Sequence, residues 1–145
     1  MDPVITRERL ALRCDTIERA YEFMLAYAAQ GLSGDAGSQS GGELRQQLSK
    51  SAAALREIAA EYGALVEAEQ LTPRPPFDAF VAVLQRDSAS AVAAIELVLA
   101  QPSISSQLVD NLNASIHVRA VLTDLFLIDE VLKSRPVEIE PTGNR

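Results

Sequence analysis

The sequence predicts a single all-α domain, an antiparallel up-down-up-down four-helix bundle. Three observations carry that expectation. Apolar residues recur at alternating spacings of four and three over long stretches, the seam of a helix that buries one stripe. Proline runs and glycine clusters separate those stretches. Ala, Leu, Val, Ser and Glu dominate, aromatics make up 5% and tryptophan is absent, a balance that favours helix over strand. At 145 residues the chain is long enough to bury a core as one domain, residues 1–135.

The first helix is expected from about residue 3 to residue 30, with Leu10, Cys14, Ile17, Tyr21, Met24 and Ala28 as its seam. Asp2-Pro3 supplies a cap and a first-turn proline, and Gly31 followed by Leu32 reads as a terminating glycine with its apolar follower. Residues 33–42, mostly glycine and serine, read as a flexible loop with almost nothing to bury. Ser40 with Glu43 matches a capping box, so the second helix is placed at about 41–70. Its seam runs Leu44, Leu48, Ser51, Leu55, Ile58, Tyr62 and Leu65, while Lys50, Arg56, Glu57, Glu61 and Glu67 fall off it.

Thr72-Pro73-Arg74-Pro75-Pro76 breaks the periodicity, and Pro76 suits the first position of a third helix, about 76–101. That helix presents Phe77, Phe80, Leu84, Ser88, Ala91 and Ile95 on one face and stops before Pro102. Ser105 or Ser106 caps the fourth, about 105–134; Lys133 and Arg135 complement its C-terminal dipole and Pro136 ends it. Residues 136–145 read as a disordered tail.

The fourth segment does not keep one apolar face. Leu108, Val109, Leu112 and Ile116 cluster on one side; Val118, Val121, Leu122, Leu125, Ile128 and Leu132 cluster more than a quarter-turn away. Either the helix bends near His117, or its C-terminal half is covered from two directions, which implies a partner. Two carboxylates also intrude on apolar arcs. Asp87 comes level with Arg119 if the third and fourth helices form a hairpin, and Asp129 comes near Arg7 and Arg9. A buried lone carboxylate is costly, so these are expected to be pairs that fix helix register. The competing use is a small-ligand or cofactor site in the core near Asp87, Arg119 and Asp129.

Several chemistries are excluded by inventory. A di-metal bundle site needs two E-x-x-H motifs, and the chain has one histidine, His117, and none of those motifs. Glu18, Glu22, Glu57 and Glu61 lie off the seams and read as solvated faces. A single cysteine on the seam, Cys14, reads as a buried apolar residue rather than a nucleophile or zinc ligand. Tyr21, Tyr27 and Tyr62 read as core or rim aromatics whose hydroxyls reach water. His117 reads as an exposed residue on a polar face with Asn113 and Asp124. Four-helix phosphotransfer domains resemble the chain in size and acidity alone: a lysine and a glycine closely follow their histidine, whereas here the order is Ile116-His117-Val118-Arg119-Ala120-Val121. No catalytic set, cofactor or metal is expected.

The net charge of −7 argues against a nucleic-acid surface, which needs a basic face. The first residues carry charge where a signal peptide needs an apolar stretch, and no stretch is long enough to span a bilayer, so a cytoplasmic location is expected. The functional expectation is a non-enzymatic accessory or adaptor protein. It binds another protein, or itself as a homodimer, through the third and fourth helices, with Phe126, Leu127 and Val131 as candidate contact residues.

Overall fold

The periodic segments become helices in a computed structural model that describes residues 5–136. In chain order these are α1 (Arg7–Ala29), α2 (Gln39–Ala68), α3 (Arg74–Leu99), α4 (Ser106–Ala114) and α5 (His117–Lys133), with no strand among the described residues. Asp2 and Pro3 lie outside those residues, as do positions 137–145, where the tail was expected. No helix is long and apolar enough to cross a membrane among the described residues.

Local chemistry sets the helix ends. The Thr6 hydroxyl accepts the Arg9 N–H at 3.1 Å and caps α1. Gly31, at φ +68°, takes the left-handed turn just after α1. α2 opens two residues earlier than the expected capping box: Ser38, not Ser40, caps it by accepting the Gly41 N–H at 2.9 Å. α3 starts at Arg74, with Pro75 and Pro76 in its first turn, where a missing N–H costs nothing.

The fourth segment is two helices, not one. Ile116 sits at φ 65°, ψ −7° between α4 and α5, a left-handed conformation that costs an L-residue about 1–2 kcal/mol. The out-of-phase apolar arcs supply the reason. The break rotates α5 so that Val118, Val121, Leu125 and Ile128 reach the same core as Val109 and Leu112. A continuous helix would leave one arc in solvent. Burying even two such side chains outweighs the strain, at about 1.5–3 kcal/mol each.

All five helices contribute to one hydrophobic core. α2 packs on α1 and α3, α3 also packs on α5, and α1 also packs on α4. Buried polar groups fasten the ends. The Tyr27 hydroxyl donates to the Ile104 carbonyl at 2.7 Å, and Ser106 Oγ donates to the Tyr27 carbonyl at 2.6 Å while accepting the Leu32 N–H at 2.9 Å. The Tyr27 hydroxyl is therefore satisfied by a backbone carbonyl inside the protein rather than by water, and that of Tyr62 by the Asp129 carboxylate. The 33–42 stretch, expected as a loop with little to hold it, is pinned. Asp35 accepts the Ile104 N–H at 2.6 Å and pairs with Arg45, which also donates to the carbonyls of Leu99 and Gln101. The Arg45 guanidinium holds the Asp35 carboxyl below its usual range.

Candidate functional site

The start of α3 and the last two turns of α5 enclose an apolar groove of about 320 Å³. Phe77 and Ile128 are buried at its floor, Phe80 and Val131 are half-buried on its walls, and Leu127 stands 55% exposed at its lip. Pro73, the residue before α3, and Pro76 in its first turn line one end beside Phe77. Arg135 closes it: its guanidinium lies 5.4 Å from the Phe77 ring centroid and donates to the Thr72 carbonyl. Leu127 and Val131, four residues apart on one helical face, thus share the groove. Phe126, also 55% exposed, is turned about 100° from Leu127 and lines a different depression.

That second depression, about 480 Å³, lies between α1 and the end of α5. Asp129 and Tyr62 sit in it, with Leu10, Ala11 and Phe126 as apolar walls and Arg7, Glu130 and Lys133 around the rim. The buried Tyr62 hydroxyl donates to Asp129 Oδ1 at 2.8 Å and lies 3.6 Å from Cys14 Sγ. Burial drives both ionisations upward, the Tyr62 phenol well above its ordinary value and the Cys14 thiol to about 11. Both keep their protons at neutral pH. The expected partners of Asp129 are engaged elsewhere. Arg7 binds Glu69 at 2.6 Å and donates to the carbonyls of Leu132 and Arg135. Arg9 and Arg13 both reach Glu61, at 3.7 and 2.9 Å.

Glu61 corrects a second expectation. It is 7% exposed, not part of a solvated face. The signal was available in its spacing: Glu61 directly precedes the seam residue Tyr62, and Arg9 and Arg13 are one turn apart on α1.

Asp87 and Arg119 do not pair. Asp87 faces Asp124 of α5, whose carboxyl is pushed up to about 7 by burial and then by the neighbouring Asp87 carboxylate. Asp124 Oδ2 is buried without a hydrogen-bond partner among the described residues. Arg119 lies in a third depression, about 350 Å³, beside Tyr21, Leu25 and Asn113. The hairpin register that would have joined Asp87 to Arg119 is lost because the left-handed turn at Ile116 rotates α5. Asn113 and Asp124 do not share an exposed face with His117 either: the polar atoms of Asn113 are buried, whereas His117 is exposed at the first position of α5. Asp87, Arg119 and Asp129 therefore line three separate places rather than one core site.

No group of three or more His, Cys, Asp or Glu side chains is placed to hold a metal ion among the described residues. No protein-family model matches the chain, and neither a curated protein nor a solved structure matches it.

Proposed function

We propose that the protein is a non-enzymatic accessory module that binds a protein partner in the groove between α3 and α5. In this reading α4 and α5 act together as one interrupted strut of an antiparallel four-helix frame, and the frame holds the groove open. The observation that carries the proposal is the pairing of Leu127 and Val131, on one face of α5, with Phe77 and Phe80 across the groove. An apolar strip of that kind, with a rigid aromatic floor, accepts the apolar face of an amphipathic helix at spacings of three and four.

Charge chooses the partner. The chain carries −7, and at the start of α3 the exposed carboxylates of Glu67 and Asp78 flank the one guanidinium, Arg74, to which both are paired. Such a surface steers a segment with basic flanks and repels a second acidic copy. The preferred occupant is therefore a basic amphipathic helix of another protein, and a symmetric homodimer is the competing outcome.

A labelled model helix built from leucine and lysine tests this, with a leucine–glutamate helix as its control. The basic helix is expected to bind, with affinity falling as salt rises, and Leu127→Glu with Val131→Glu is expected to abolish binding while leaving the melting temperature within a few degrees. Equal binding by the double variant would remove the groove from the account. Sedimentation equilibrium at micromolar concentration reads the homodimer directly.

A further inference from the structure

From a feature separate from the groove, we propose that the depression at Asp129 binds an organic cation, its ammonium group on the carboxylate and its hydrocarbon body against Phe126. Asp129 is half-buried, and one oxygen accepts the Tyr62 hydroxyl at 2.8 Å. The other oxygen has no hydrogen-bond partner among the described residues, and it is not sealed from the depression. Tyr62 cannot cancel the charge, because a buried phenol donates a hydrogen bond but keeps its proton.

The rim cations do not cancel it either. Arg7 is held by Glu69 and two backbone carbonyls, and Lys133 lies 3.8 Å from Glu130. Asp129 makes no ion pair among the described residues. A partly dehydrated carboxylate without a counter-charge is unfavourable, and an incoming ammonium group relieves it through charge-assisted hydrogen bonds.

Size and wall chemistry narrow the ligand. About 480 Å³ falls in the range of small-molecule sites. Phe126 adds an aromatic face that attracts a cation, and Leu10 and Ala11 take an apolar body. An anion would meet the Asp129 carboxylate. A bare divalent ion would find one free carboxylate oxygen where it needs six or more ligands. An amine with an attached hydrocarbon or ring is the class that fits.

Benzylamine is the probe, and benzyl alcohol its neutral analogue. Calorimetric titration of the full chain is expected to show saturable one-to-one binding of benzylamine in the millimolar range. Binding should weaken about tenfold or more for benzyl alcohol and for Asp129→Asn, whose amide oxygen still accepts from Tyr62. Leu127→Glu with Val131→Glu should leave benzylamine binding unchanged, which separates this site from the groove. Should Asp129→Asn fail to fold, the side-chain carboxyl ¹³C resonance of Asp129 in the unmodified protein gives the answer: it should move with benzylamine and stay still with benzyl alcohol. Equal binding of amine and alcohol, wild-type affinity in Asp129→Asn, or a stationary Asp129 resonance overturns the proposal.

Discussion

Gly41 and Gly42 are adjacent in α2, yet only one of them is required. A Cβ at Gly41 would run into the Asp35 backbone carbonyl, whereas one at Gly42 meets nothing. Gly41→Ala is expected to destabilise the fold by about 1–3 kcal/mol, because the pinned loop cannot yield without losing Asp35. Gly42→Ala should instead stabilise it by about 0.5–1 kcal/mol, and chemical denaturation of both variants checks the pair. Asp124 makes a second prediction, with a definite sign. Its folded-state pKa is raised to about 7, so its contribution is fully present below the unfolded carboxylate range and is lost as pH rises through about 7. The wild-type melting temperature should therefore fall between about pH 6 and about pH 8, by roughly 1 kcal/mol of stability once partial solvent exposure is discounted. Asp124→Asn should flatten that decline. A profile that is unchanged in the variant would show that Asp124 is not the group responsible. Asp35 acts in the opposite sense: its lowered pKa gives stability above the carboxylate range that is lost on acidification.

At the scale of elements, the turn at Ile116 decides which faces meet. Ile116 is β-branched, half exposed and left-handed, so glycine should suit the position better. Ile116→Gly is expected to raise stability by about 0.5–1 kcal/mol, the relief of strain exceeding the added chain entropy. Were α4 and α5 one continuous helix, the same change would cost about 1 kcal/mol, so the sign of the shift in the denaturation midpoint tests the break. Much at this scale was legible beforehand. The seams on α1, α2 and α3, the glycine stop at Gly31 and the buried Cys14 all follow from spacing, because a 3.6-residue repeat leaves a plain trace. The break near His117 was visible as two arcs out of phase, but spacing alone did not separate a bend from a hidden interface. What spacing cannot carry is rotation between elements. Asp87 and Arg119 were matched by level along a hairpin, and a turn of α5 about its axis exchanged Arg119 for Asp124. The Asp35–Arg45 anchor and the Tyr62–Asp129 hydrogen bond were hidden for a related reason. Asp35 reaches across 69 positions to the Ile104 N–H and Tyr62 across 67 to Asp129, and neither loop composition nor a seam records which group will stand opposite.

Across the whole molecule, Arg7 is the residue that gathers the ends. It ties the start of α1 to Glu69 just past α2, and to the carbonyls of Leu132 and Arg135 at the end of α5. Arg7→Met keeps much of the side chain's bulk but strands those acceptors, and is expected to cost about 2–4 kcal/mol by chemical denaturation. A loss near zero would mean that water replaces the guanidinium without penalty. The same bond has a temporal meaning. Leu132 follows Arg7 by 125 positions, so in vectorial synthesis α1 is made long before its last partner. Until α5 emerges, the apolar seam of α1 has α2 to lean on but lacks the latch that closes it. The first two helices therefore wait as an open hairpin, and the latch closes only once α5 has left the ribosome.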